Sequence, residues 1–262
     1  MSLSGIKVLV TRPTHQSEPL CKLIADEGGE PIRLPVIEIV DIDDKSALFD
    51  CRAHLNDLHI AIFISVNAVE KTLPILLAEE PLPSHVQLVA VGKRTAETIK
   101  ARGLSVLCSE PPFNSEAVLE MPQLQTAMVQ GKKVVIFRGE GGRELLAETL
   151  QQRGAIIDYI NVYRRIQPPT PVWISEKPID IITVTSVEGL KNLLRMLEGQ
   201  DWVRHTPLVV MSQRIKAVAE DLGVQVPIFV APTASDEGLF NAILQALDYS
   251  RSKVNEEQKL NL

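Results

Sequence analysis

Polar residues in this chain gather where short apolar runs end. The turns are Thr11-Arg12-Pro13-Thr14, Ser65-Val66-Asn67, Gly92-Lys93-Arg94-Thr95, Arg138-Gly139-Glu140-Gly141-Gly142, Thr185-Ser186, Ser212-Gln213-Arg214 and Pro232-Thr233-Ala234-Ser235. Ser, Thr, Asn and Gly are good residues for starting a helix, so the plain reading of each turn is a cap. Together they make rims of backbone N–H groups, each at the positive end of a helix dipole. Such rims bind anions without a net positive protein. Arginines sharpen the pattern: Arg12 and Arg138 occupy matching places, as do Arg94 and Arg214. Each alone can be solvated or paired with a neighbour such as Glu18 or Glu144. Four in register favour a cleft that holds a polyanion.

Other chemistries find little support. Gly139-Glu-Gly-Gly142 follows a strand-like run, but its spacing is not G-x-G-x-x-G, and Glu140 would face phosphate. No phosphate-loop lysine frame is present, and no Ser/His/Asp set or paired-carboxylate signature stands out. Cys21, Cys51 and Cys108 lie far apart and the five histidines show no ligand spacing, so neither a metal site nor a disulfide framework is expected. The expectation for the thiols is an inert, reduced state in a cytoplasmic protein.

Short β-rich runs alternate with amphipathic helices, the pattern of a parallel sheet. Strands are expected at Ile6–Val10, Ile32–Val40, Ile60–Ile64, Leu88–Val91, Val134–Phe137, Ile156–Tyr163, Ile179–Val184, Leu208–Met211 and Val226–Val230. Leu190, Leu193, Leu194 and Leu197 stripe one helix between them, and Ile215, Val218, Ala219 and Leu222 another.

The chain also repeats itself. Gly5-Ile-Lys-Val-Leu-Val-Thr-Arg12 matches Gly131-Lys-Lys-Val-Val-Ile-Phe-Arg138. Ile60-Ala-Ile-Phe-Ile-Ser65 matches Ile181-Ile-Thr-Val-Thr-Ser186, and Leu88-Val-Ala-Val-Gly92-Lys-Arg94 matches Leu208-Val-Val-Met-Ser212-Gln-Arg214. Pro111-Pro-Phe-Asn-Ser115-Glu matches Ala231-Pro-Thr-Ala-Ser235-Asp. Four landmarks in one order at a nearly constant separation read as a duplicated α/β domain, since the period is too long for a solenoid. From the repeat alone the halves would meet near Gly131. Pro35–Asp44 and the proline-rich Ile166–Pro178 read as connections, and Ser250–Leu262 as a polar, frayed tail.

The 262 residues suit two domains, and 45% hydrophobic with 23% charged residues is an ordinary globular balance. No apolar run reaches the ~20 residues that cross a bilayer, and no secretory leader is read at the start. A net charge of −6 without basic runs disfavours nucleic acid as a partner.

As an ordered set, Val-Thr-Arg12-Pro13, Phe63-Ile-Ser65-Val-Asn67-Ala-Val, Val91-Gly92-Lys93-Arg94-Thr95-Ala, Asn161-Val-Tyr163-Arg164, Val184-Thr185-Ser186 and Pro232-Thr-Ala-Ser-Asp-Glu-Gly238-Leu resemble uroporphyrinogen-III synthases from Val8 to about Leu247. Ile64 departs from the pattern, standing where that family commonly has Thr. The resemblance implies two similar flavodoxin-like α/β domains with exchanged segments: 1–38 plus 167–262, and 39–166. Val36–Val40 and Asn161–Ile166 would form a two-strand connection. It implies that hydroxymethylbilane, a linear tetrapyrrole with eight carboxylates, loses water and closes with inversion of its last ring, without cofactor or metal. It carries Tyr163 over as the catalytic candidate assisting hydroxyl departure. Thr95 and Thr233 become cleft-facing hydroxyls, and Ser65 and Ser186 turn residues near substrate. Asn67, Gly92, Lys93, Gly139, Gln213 and Ser235 complete the substrate-binding turns with the four arginines. A monomer is expected. Competing readings are a non-enzymatic two-domain binder of small anions and a nucleotide-dependent enzyme.

Overall fold

The computed structural model describes residues 2–142, 144–175 and 178–260, with side chains left aside at 175 and 253–260. Glu176 and Lys177 of the expected Ile166–Pro178 connection, and the last two residues of the tail, lie outside the described residues.

The chain begins with β1 (Lys7–Val10), α1 (Thr14–Asp26) and β2 (Glu30–Arg33). There follow β3 (Glu38–Asp41), α2 (Ser46–Ala53), β4 (Ile60–Phe63), α3 (Val66–Leu76), β5 (Gln87–Ala90), α4 (Lys93–Lys100), β6 (Leu107–Cys108), α5 (Ser115–Leu119) and α6 (Thr126–Val129). Next come β7 (Lys133–Gly139), α7 (Leu145–Gln152) and β8 (Ile156–Ile166). The last part is β9 (Ile181–Val184), α8 (Val187–Met196), α9 (Trp202–His205), β10 (Leu208–Val210), α10 (Gln213–Asp221), β11 (Ile228–Val230) and α11 (Asp236–Leu260).

Two sheets result, with strand orders β11-β10-β9-β1-β2 and β3-β8-β7-β4-β5-β6. Their strands are buried throughout where they are central: Val8, Leu9 and Val10, Ile60–Phe63 and Ile181–Val184, as parallel strands covered on both faces require. The chain divides into two compact units, 1–38 with 166–262, and 39–165. The duplication and the units do not coincide. β1-α1-β2 of the first repeat pairs with β9 of the second, Leu9 lying against Ile182. β7-α7-β8 of the second repeat pairs with β4 of the first, Ile136 lying against Ile62. The repeats have exchanged their first strand–helix–strand. The contiguous halves suggested by the repeat near Gly131 are therefore corrected.

With each exchanged strand–helix–strand counted first, both sheets contain the order 2-1-3-4-5, the doubly wound flavodoxin-like arrangement, and the six-stranded sheet adds β3 at its edge. The strand order reverses between β1 and β9, and between β7 and β4. Ligands in such sheets bind beside the carboxyl ends of the strands at this switch point.

The expected single strand over Ile32–Val40 is two strands in different sheets. Pro35 lies between them and has no N–H to give a ladder. The short β6 was not anticipated. In the connection, Val172–Ser175 forms a 3-10 turn in place of continuous extended chain, and α11 continues as helix through 250–260. Beside the edge of the second sheet, Asp41 takes Lys45 and Lys71 at 2.7 and 2.5 Å, tying β3 to α2 and α3. Those two hydrogen bonds hold its carboxyl below the ordinary carboxylate range.

On the inner face of α2, Cys51 is buried, and burial pushes its thiol from 9.0 to about 11, against the pull of Lys133. Its neutral form is thus favoured by folding. That contribution is complete below pH 9 and is lost as the pH rises toward 11. The expected result is that Cys51→Ala flattens the fall in urea midpoint between those pH values; an identical slope in both proteins would contradict it.

Candidate functional site

In the second unit, the switch point is built around Gly139, the last residue of β7. β8 carries one residue more than β7 here: Arg138 faces Asn161, but Gly139 faces Tyr163. Strict alternation would put Tyr163 on the same face as Tyr159 and Asn161. The bulge at Val162 turns it over, into the cluster of Phe63, Phe137, Val69 and Ala96 beneath α3 and α4. Its ring lies on Gly139 so closely that a Cβ there would sit 2.5 and 2.7 Å from Cε2 and Cζ. Only glycine leaves that room. The Tyr163 hydroxyl and Ser65 Oγ are 3.1 Å apart, either one donating. Ser65 in turn caps α3, its Oγ accepting the Ala68 N–H at 3.2 Å. The Arg165 guanidinium stands 5.8 Å from the Tyr163 ring centroid. Tyr163 itself is 1% exposed. Its hydroxyl is held in a chain that runs to the start of α3.

On the opposite face, Arg138 is buried and lies over Tyr159, its guanidinium carbon 3.7 Å from the ring centroid. Nε donates to Asn161 Oδ1 at 3.2 Å and Nη2 to Glu144 Oε1 at 3.1 Å. Tyr159's phenol is raised, first by burial and then by Glu144, so it remains protonated at neutral pH.

In the first unit, Arg12 follows β1 and forms an ion pair with Asp236 in the first turn of α11. Their side chains are 10% and 11% exposed. The expected neighbour Glu18 is used elsewhere, by Arg33. Beside them, Thr11 Oγ1 donates to Thr183 O at 2.6 Å and Thr183 Oγ1 to Leu9 O at 3.0 Å, both buried, stitching β1 to β9. Ser186 caps α8 by accepting the Gly189 N–H at 2.9 Å. Ser235 accepts the Gly238 N–H at 3.0 Å, and Thr233 Oγ1 lies 3.1 Å from Ser235 Oγ. A Cβ on Gly238 would run into the Thr233 carbonyl oxygen, so the turn into α11 needs glycine.

The four arginines therefore separate into two kinds. Arg12, largely buried, and Arg138, buried, are held in ion pairs within their own units. Arg94 and Arg214 are exposed in the first turns of α4 and α10, beside exposed Lys93 and Gln213. Gly92 starts α4 at φ +121, a conformation open to glycine, with nothing within 4 Å of a would-be Cβ. Asn67 and Thr95 are buried, whereas Thr233 is exposed. The capping serines fill only one orphan N–H of each helix, leaving others at the starts of α3, α8 and α10. Asp236 and Tyr159 were not anticipated from the sequence. Tyr159 was within reach, being two residues before Asn161 on an extended strand.

A family model described as Uroporphyrinogen-III synthase HemD matches residues 18–241. The chain belongs to the uroporphyrinogen-III synthase family. Membership makes it an enzyme of porphyrin and heme biosynthesis and favours catalysis over a non-enzymatic anion binder. The uroporphyrinogen-III synthase of Escherichia coli K12 is 29% identical over 249 residues, covering 91% of this chain and 100% of that one. The synthase of Proteus mirabilis is 32% identical over 163 residues, covering 62% and 81%. In fold, the chain resembles the uroporphyrinogen-III synthetase of Helicobacter pylori 26695, with a TM-score of 0.62 at 15% identity over 92% of this chain and 99% of that one. It also resembles a mutant synthase from the extreme thermophile Thermus thermophilus, with a TM-score of 0.61 at 14% identity over 94% and 100%. Among the described residues, no helix is long and apolar enough to cross a membrane.

Proposed function

We propose that the protein is a cyclising hydro-lyase that converts hydroxymethylbilane to uroporphyrinogen III, with loss of water and inversion of the last ring, acting as a cytoplasmic monomer. The strand-end turns at the switch point of each unit are the proposed binding positions for the substrate's carboxylates. The observation that carries this reading is the matched pair of strand-end rims. Each unit offers capped helix starts (Ser65, Ser186, Ser235), a first-turn arginine in the open (Arg94, Arg214), and a glycine-dependent turn. A carboxylate-rich chain is the kind of molecule that such a rim binds.

The task is one of positioning. Loss of the hydroxyl yields a conjugated electrophile that closes unaided, but to the type I isomer. The protein must hold the chain ends so that attack falls on the substituted carbon of the last ring, by a spiro route. Fixing geometry accounts for most of such an effect. Thr95, Thr233, Asn67, Gly92, Lys93, Gly139 and Gln213 belong to the same turns and are proposed to line the bound chain.

Tyr163 is the proposed aid to hydroxyl departure. Tyr163→Phe removes only the bond to Ser65, a loss of about 0.5–1.5 kcal/mol in stability. The expected result is reduced turnover with only a small fall in the urea midpoint. Unaltered kinetics would take Tyr163 out of the mechanism.

The function as a whole is tested by supplying hydroxymethylbilane, made in place from porphobilinogen by its deaminase, and separating the products. Type III product in excess of the spontaneous type I product supports the reading. Type I alone, at the rate seen without protein, refutes it.

A further inference from the structure

Arg12 and Arg138 hold equivalent places in the two repeats, yet their surroundings differ in kind. The partner of Arg12 is Asp236, itself 8% exposed, so that pair is closed. The partner of Arg138 is Glu144, whose side chain is 50% exposed. Arg138 is 9% exposed, and three of its features are fixed: Nε on Asn161, Nη2 on Glu144 and its plane on Tyr159. Its Nη1 is buried without a hydrogen-bond partner among the described residues. A buried charged donor left unfilled is costly, and a purely structural arginine would be expected to fill it.

Beside it is a cavity of about 370 Å³, which Arg138 and Tyr159 line with Ile64, Val91, Asn114, Gly141 and Gly142. Gly141 and Gly142, on its wall, have φ +75 and +113, a backbone conformation that favours glycine. The cavity lies wholly within the second unit, on the α5 and α7 face, opposite Tyr163.

We propose that Arg138 is a carboxylate-exchange site: Glu144 occupies the guanidinium as a displaceable stand-in, and one carboxylate arm of the substrate replaces it. The incoming group takes Nη2 from Glu144 and fills Nη1, giving the two-point contact that a guanidinium offers a carboxylate. Glu144, half in solvent already, turns outward at little cost. The buried cation is thereby kept paired in both states, and the arm is read by geometry as well as by charge. This rests on hydroxymethylbilane being the substrate.

The test is steady-state kinetics on hydroxymethylbilane made in place, with product isomers separated. Glu144→Gln weakens the competitor, and KM is expected to fall by about threefold to tenfold, kcat changing less. Arg138→Gln is expected to raise KM on the order of tenfold or more, as loss of a charged hydrogen bond does. Arg138→Lys, which keeps the charge but not the fork, falls between. A merely structural pair would leave KM of Glu144→Gln unchanged or raise it, and either result overturns the proposal. Should Arg138→Gln not fold, the sign of the Glu144→Gln effect decides alone. If the unaltered protein yields no type III product, the functional reading itself fails. If it does and Glu144→Gln leaves KM in place, only the exchange site is lost.

Discussion

Arg12→Leu is expected to destabilise the protein by about 3 kcal/mol or more, because it leaves Asp236 buried without its cation. The positive end of the α11 dipole offsets part of that charge, which holds the cost to the lower end of the range for a broken buried pair. Equilibrium unfolding in urea measures it. Pairing the change with Asp236→Asn removes the stranded charge and is expected to restore much of the loss. A double variant as unstable as the single one would show that Asp236 was not the cause. Arg12→Leu is thus a poor probe of substrate binding taken alone, since lost activity would follow from lost structure. Arg94→Ala and Arg214→Ala touch exposed side chains and report on binding without that confusion.

Gly139→Ala is expected to cost more activity than Tyr163→Phe. The new methyl would stand 2.5 Å from the Tyr163 ring, which is 1% exposed and has no free space to enter. The ring must tilt, its hydroxyl leaves Ser65, and the start of α3 loses its outer support. Overpacking of this kind costs about 1–3 kcal/mol. Turnover is expected to fall below that of Tyr163→Phe, which keeps the ring in place. Equal kcat in the two variants would mean that the ring's position is immaterial, and an unchanged urea midpoint would mean that the ring has room.

Much of this architecture is legible in the residues. The strand positions follow from apolar runs bounded by turns, and the duplication follows from motifs such as Val-Leu-Val-Thr-Arg12 and Val-Val-Ile-Phe-Arg138. What periodicity does not carry is which copy of a strand pairs with which. β4 and β9, Ile-Ala-Ile-Phe and Ile-Ile-Thr-Val, are similarly apolar, so either would suit β1 by pattern. The exchange of segments was reached through the family resemblance, not through the residues themselves.

The site shows the same division. The turns that cap helices were readable as such, because Ser65, Ser186 and Ser235 are of the types that accept an N–H near their own position. Contacts made across the fold were not. Arg12 meets a carboxylate more than two hundred residues away, and nothing local marks Asp236 over Glu18. The face of Tyr163 depends on a bulge at Val162 that no residue type announces. For the same reason, four arginines in register looked alike in sequence, although two are held in ion pairs and two are exposed.

The strand-end turns at the switch point of each unit are proposed to bind carboxylates of the substrate. Backbone amide resonances followed by NMR during addition of uroporphyrinogen III test this most directly. Shifts are expected at 65–68, 92–95 and 139–142 in one unit and at 186–189, 212–215 and 235–238 in the other. Shifts confined to a single unit, or clustered at the opposite ends of the strands, would contradict it.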